Sequence, residues 1–331
     1  MKRLLSKCLV LLLLIAVQTV FPQIKPSVSL IGGDNVPALK RQITATLETV
    51  LLEMNRMQKG TGDVKNVEHS FSSDAFATFR NFAAVNRAYT ARKTYSVQMI
   101  ERMRGACYDV RGVTVKVDLG GTEASDQQNL IFTFSKEGRI ISVRSVLPNY
   151  DFHAVLSQGV TEKDSLMHGT ILDFMERFRM AYNCKDAAFL EKVYSDDALI
   201  LVGSVIREAK QADDMMKHTF LSDAKVRLIQ QTKREYLDGL KTKAFRTNAF
   251  INVKFEDLKI VRHEKIADLY GVSCRQVWTS STYSDQGYLF LMMDFRDPAN
   301  PLIHVRAWQP KEFEEDGSFV TLYDFDVIEY K

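Results

Sequence analysis

Recognisable catalytic and metal-binding patterns are what this sequence lacks. It contains no H-E-x-x-H, no G-x-S-x-G, no P-loop, no G-x-G-x-x-G and no Asp-rich calcium loop. Its six histidines, at 69, 153, 168, 218, 263 and 304, are scattered without ligand spacing, so neither a metal nor a cofactor is expected. Cysteine is sparse, with four residues and no C-x-x-C pair. Cys8 sits in an N-terminal leader, which leaves Cys107, Cys184 and Cys274. A Cys184–Cys274 bridge in an oxidising compartment and three separately buried thiols both satisfy that spacing. An excess of one charge is absent too. The 44 basic residues less Lys2, Arg3 and Lys7 of the leader leave 41 against 41 acidic. A neutral chain has no field to draw in nucleic acid or anionic lipid, which removes both as partners. With 46% hydrophobic and 26% charged residues, disorder and low-complexity architecture are excluded as well.

The N-terminus carries the clearest signal. Met1–Lys7 is basic, Leu9–Val17 is an unbroken apolar run, and polar Gln18 and Thr19 with Pro22 close the segment. That order describes a secretory signal peptide over residues 1–23. The run is shorter than the about 20 apolar residues a bilayer requires, and Cys8 precedes it instead of ending it, which argues against a lipid anchor. No second apolar segment of spanning length follows, so export to the periplasm or an outer-membrane-associated location is expected, with no membrane span after processing.

Behind the leader the chain reads as two halves with the same order of parts. In the first, Pro37–Lys59 is an amphipathic helix carrying Leu39, Ile43, Leu47, Val50, Leu51 and Met54. Ser73 caps a second helix with Phe76, Phe79 and Phe82, and Tyr95–Arg104 reads as a third. Val113, Val115 and Val117 then alternate as a strand, and 129–134 and 139–147 form a hairpin turned at Glu137-Gly138. Residues 149–164 mix Pro-flanking, Gly, Ser and charge as a linker. In the second half Ile171, Leu172, Phe174, Met175, Phe178, Ala181 and Tyr182 line a long helix, and Asp186 caps a short one. Ser195-Asp196-Asp197 turns into a strand, Ala198–Val202. A polar helix over 224–244 follows, its Lys225–Lys243 stretch a solvated face. Four strands over 250–261, 269–280, 288–296 and 302–308 come next, and 318–328 adds an edge strand. Helices followed by an antiparallel meander give an α+β fold: two cone-shaped domains, each with helices packed on a curved antiparallel sheet.

Short motifs in the second half carry a family resemblance. Ile171-Leu172-Asp173-Phe174 through Ser195-Asp196-Asp197-Ala198-Leu199-Ile200 is similar to the opening of a nuclear transport factor 2-like (SnoaL-like) domain. His304-Val305-Arg306-Ala307-Trp308-Gln309-Pro310 resembles the closing hairpins of that family, and Val67–Phe82, with Ser73-Asp74-Ala75, is a weaker echo of its opening. The resemblance implies an exported tandem over residues 37–148 and 165–331, similar to uncharacterised envelope proteins of Gram-negative bacteria. The family hosts isomerases, dehydratases, cyclases and purely binding domains on one fold, so the fold alone does not choose.

One constellation carries candidate chemistry. Alternation places Tyr288, Phe290, Met292, Asp294 and Arg296 on one strand face and Leu289, Leu291, Met293 and Phe295 on the other. On the next strand His304, Arg306 and Trp308 share a side, and Tyr270, Cys274, Gln276 and Trp278 on the preceding one. Tyr270, Trp278, Tyr288, Arg306 and Trp308 are therefore expected to line a ligand pocket or an interface. An Asp294–His304 pair inside an apolar cone would be an acid–base dyad; on an outer surface it is a cross-strand pair. Asp196 and Asp197 are expected in turn duty, because adjacent strand residues point to opposite sides. The leading expectation is a non-catalytic binding or interaction module of the cell envelope, whose partner is a small ligand or an envelope protein. The alternative is an isomerase, dehydratase or hydrolase using Asp294 and His304. Self-association stays open.

Overall fold

The computed structural model describes residues 25–102, 106–118, 127–147, 162–205 and 226–310, with Leu322 and Phe325. The expected leader, most of the expected 149–164 linker and nearly all of the expected 318–328 strand lie outside these residues. The fold is α+β, built on two separate six-stranded sheets. In the first half β1 (Ser27–Ile31) leads into α1 (Pro37–Gln58), a 3-10 segment (Val64–Ser70) and α2 (Ser73–Asn86). The short β2 (Tyr89–Thr90) precedes a meander of β3 (Thr94–Arg102), β4 (Cys107–Lys116), β5 (Gln127–Ser135) and β6 (Ile140–Ser145). The second half runs α3 (Glu162–Asn183), α4 (Ala187–Val193), β7 (Tyr194–Val205), β8 (Val226–Thr232) and α5 (Lys233–Gly239). Its meander is β9 (Ile251–Arg262), β10 (Leu269–Ser280), β11 (Ser284–Asp294) and β12 (Leu302–Gln309).

Each sheet carries one parallel pair among antiparallel ones, so neither is antiparallel throughout. β1 pairs in parallel with β3, the first strand of its meander. In the second half β7 pairs in parallel with β12, the last strand, giving the order β8-β7-β12-β11-β10-β9. The halves share a helices-then-meander order but differ in strand order, so the second half does not repeat the connectivity of the first. The first sheet also begins at Ser27, ten residues before the expected domain start at 37.

Local sequence explains most boundaries. Pro37 opens α1, whose Ile43, Leu47, Val50, Leu51 and Met54 are buried. The cap of α2 is Ser72, which accepts from the Ala75 amide, so Ser73 is the first helical residue rather than the cap. Asp186 caps α4 as expected, accepting from Phe189 N–H at 2.9 Å. One expected helix is a strand, and a second is a strand over its first part. Tyr95, Val97 and Met99 are buried and alternate with exposed Ser96, Gln98 and Ile100, a period of two that makes 94–102 the strand β3. In the expected helix over 224–244, Thr232 and Glu235 form a capping box, which starts α5 at Lys233 and leaves Val226–Thr232 extended as edge strand β8. Cys107, Cys184 and Cys274 are free and buried, so the Cys184–Cys274 bridge does not form.

Helix α3 sits between the two sheets. Its Phe174, Phe178, Ala181 and Tyr182 belong to the second core, while Met180 and Cys184 join the first. A third group of its side chains meets the first sheet through charge. Arg144 of β6 contacts Asp109 of β4 at 2.9 Å, Asp173 at 2.5 Å and Glu176 at 3.4 Å. Arg102 bridges Asp109 and Asp173, Arg111 meets Glu176 at 2.6 Å, and Thr133 donates to Asp109. Three cations face three carboxylates, and Asp109, Arg144 and Glu176 among them are buried. Neutralising one member leaves an uncompensated buried charge, which costs about 3–5 kcal/mol. Asp109→Asn keeps the shape and removes the charge; urea unfolding should show a loss of about that size.

Candidate functional site

The second sheet wraps a core set against α3, and a β-bulge decides which side chains of β12 face it. Along β11 and β12, Leu289 opposes Trp308 and Leu291 opposes Arg306. The register then slips: Met292 opposes Val305 but Met293 opposes Ile303, so His304 is the extra residue of a bulge. Arg306 and Trp308 therefore lie on the side of Leu289, Leu291 and Met293, facing the α3 core. Strict alternation had grouped them with Tyr288 and Phe290. Tyr270, Val272 and Cys274 belong to the same core, and Trp278 packs on it edge-on to Tyr182, with ring centroids 5.9 Å apart. Tyr288 has the parity of Phe290, which lies in a separate outer cluster with Met292, Val305 and Leu322, so it is not part of this lining.

At the centre of this face Arg306 is buried, with its guanidinium over the Tyr236 ring at 4.9 Å. The Tyr182 hydroxyl joins those of Tyr236 at 2.7 Å and Tyr194 at 3.2 Å. Burial pushes the Tyr194 and Tyr236 phenols well above their ordinary pKa, so at neutral pH they offer dipoles and no charge. Among the described residues no carboxylate forms an ion pair with Arg306. Its Nε and the Trp308 Nε1 are buried donors without a partner. A buried cation held only by neutral groups is costly, and an anion placed against it relieves that cost. Helical spacing by itself explains Tyr182 as a plain core residue, so periodicity carries no signal for this cluster. Tyr236 was hidden in the helix drawn from 224.

Asp294 and His304 meet outside this cluster, at the bulge. His304 Nε2 lies 3.3 Å from Asp294 Oδ2, and its Nδ1 lies 3.0 Å from the hydroxyl of buried Ser195. Arg296 clamps the same carboxylate, with Nε at 3.0 and 2.9 Å from its two oxygens. Burial alone would raise the Asp294 carboxyl, but the hydrogen bonds from Arg296 and His304 hold it below the usual range. An ionised Asp294 orients the imidazole and donates no proton. Asp196 and Asp197 are exposed strand residues of β7 rather than turn residues, and Asp196 pairs with Lys233 at 2.8 Å. Among the described residues no three His, Cys, Asp or Glu side chains converge as metal ligands, and no helix is long and apolar enough to cross a membrane.

No family model matches the sequence, and comparison with curated proteins finds no match. Solved structures with partial likeness include a nuclear transport factor 2-like protein of unknown function from Shewanella oneidensis. It is 12% identical with a TM-score of 0.28, and the overlap covers 43% of this chain and 97% of that one. The beta subunit of a putative aromatic-ring-hydroxylating dioxygenase from Novosphingobium aromaticivorans is 12% identical with a TM-score of 0.33, covering 46% and 94%. A Bdellovibrio bacteriovorus protein, Bd1075, is 13% identical with a TM-score of 0.33; the overlap takes in 52% of this chain and 47% of that protein. None of these overlaps is close enough to transfer an activity.

The lining also depends on a missing side chain. A Cβ on Gly287 would stand 2.2 Å from the Gln309 carbonyl oxygen and 2.7 Å from the Trp308 ring. Gly287 therefore lets β12 and its tryptophan lie flush on β11. Gly287→Ala should cost about 1–3 kcal/mol, as overpacking does, and should change the near-ultraviolet circular dichroism of the tryptophans.

Proposed function

We propose that this chain is an exported, non-catalytic binding module of the cell envelope, whose second half holds a small carboxylate in a nuclear transport factor 2-like cup. One observation carries the reading: Arg306 is buried among three neutral phenols, its own Nε and the neighbouring Trp308 Nε1 are orphaned donors, and no carboxylate among the described residues pairs with it. A carboxylate would accept from Arg306 Nε and Trp308 Nε1, and its apolar remainder would rest on the aromatic lining. The low-polarity surroundings make each such hydrogen bond stronger than in water. Export rests on the leader, and the partner is then a small acid of the envelope or an envelope protein presenting one.

Arg306→Met separates this from a structural role. Exchange of an unpaired buried cation for an apolar side chain should leave the unliganded melting temperature equal or higher. Phenylacetate and octanoate should stabilise the parent protein in a concentration-dependent way and leave the variant unmoved. A variant that melts lower, with the same response to both acids, removes the proposal.

The alternative, an acid–base enzyme, is favoured by the Ser195–His304–Asp294 hydrogen-bond chain, which has the order nucleophile, base, orienting carboxylate. Ser195 is buried and Asp294 is committed to Arg296, so the binding reading is preferred. A fluorophosphonate probe decides between them: Ser195 is expected to remain unlabelled, and covalent modification there would favour the enzyme.

A further inference from the structure

A further unsatisfied buried donor, Gln128 Nε2, lies between the two sheets, away from Arg306. A cavity of about 290 Å³ is lined by Gly112 at a β4 bulge, Gln128 of β5, Arg179 of α3, and Lys254 and Glu256 of β9. Arg179 is buried and ties the halves together. Its Nε donates to the Val253 carbonyl of β9 at 2.5 Å, and a second nitrogen donates to the Val146 carbonyl after β6. Both partners are neutral. Among the described residues no carboxylate forms an ion pair with Arg179; burial draws its pKa down to about 10 against the opposing pull of the more distant Glu176 and Glu256.

Gln128 is 2% exposed and its Nε2 has no partner. The orientation of that amide is fixed by its neighbours. Val253 N–H donates to Asn183 Oδ1 at 2.7 Å, which makes Asn183 Nδ2 a donor; it reaches Gln128 Oε1 at 3.2 Å. The Gln128 oxygen is thereby used, and its NH2 is left as a buried donor at the cavity. Glu256 is the one carboxylate in the lining, and Arg275 already holds it. Two cations and an orphaned amide donor thus share a space at the small end of ligand pockets, which span about 300–1,000 Å³.

We propose that this inter-sheet cavity is a binding site for a small carboxylate, taken by Arg179, Gln128 and Lys254. Gln128 comes from the first half and Lys254 from the second, so the ligand would bridge them. The site is independent of the one at Arg306.

Calorimetric titration and thermal melts of the full chain test this, with succinate and inorganic phosphate as separate probes. Gln128→Glu keeps the oxygen that Asn183 needs and turns the orphan donor into a carboxylate facing Arg179. The expected result is succinate binding to the parent protein that falls at least about tenfold in Gln128→Glu, as loss of a charge-assisted hydrogen bond predicts. Unliganded Gln128→Glu should melt higher, and Lys254→Gln should weaken succinate binding. No succinate binding to the parent protein overturns the proposal. Binding of phosphate alone overturns its ligand class. Succinate binding kept in Gln128→Glu but lost in Arg306→Met moves the ligand to the other site, and with it removes this one.

Discussion

Helix α3 must satisfy three surfaces at once, and the rest of the molecule is arranged around that demand. One stripe of it, Phe174, Phe178 and Tyr182, is wrapped by the second sheet. A second, Met180, completes the first core together with Cys184 just past the helix end. The third is charged: Asp173 and Glu176 face Arg102, Arg111 and Arg144 on the first sheet. Charges brought this far from water require partners of opposite sign at hydrogen-bond distance, which fixes the rotation and height of the helix. The first sheet is in consequence covered on both sides, by α1 and α2 on one and α3 on the other. That is why Leu130 to Phe134 of β5 are all buried, Thr133 included.

Asn183, at the end of the same helix, transmits this placement to the polar atoms around it. It accepts from Val253 N–H, donates toward Gln128 and Ser145, and its carbonyl accepts from Asn86. Four segments from both halves are thus held by one residue. The two donor-rich places in the structure differ in kind. Around Arg306 the neutral partners are phenols inside an aromatic core; around Arg179 they are backbone carbonyls beside a cavity. In each, a cation is buried with no ion pair among the described residues, a state that an apolar side chain would avoid at lower cost. Arg179 also links β9 to the end of β6 through its two backbone acceptors, whereas Arg306 meets only aromatic side chains.

Much of the architecture was legible in the residues. Periodicity of 3.6 located α1, α2 and α3, and the four strands of the second meander followed from runs separated by turn residues such as Asp297-Pro298-Ala299-Asn300-Pro301. The misread segments have specific causes. Tyr95–Arg102 contains no helix breaker, so its two-residue alternation competed with helix propensity; pairing with β1 and β4 decided for the strand. The capping box at Thr232 was readable and would have shortened the helix drawn from 224.

The candidate site shows where sequence stops. The residue types and their strands were fixed by order and alternation: Tyr270, Trp278, Arg306 and Trp308 all come from the predicted strands. Facing was decided by one inserted residue at His304, because a bulge reverses the side of everything beyond it. That single slip put Arg306 against Tyr236 and left Asp294 and His304 outside. The absence of a counter-ion for Arg306 or Arg179 could not be seen in a balanced count of 41 acids and 41 bases after the leader. Pairing is a property of distance, and only tertiary packing brings some carboxylates to arginines while Arg306 and Arg179 form no ion pair among the described residues.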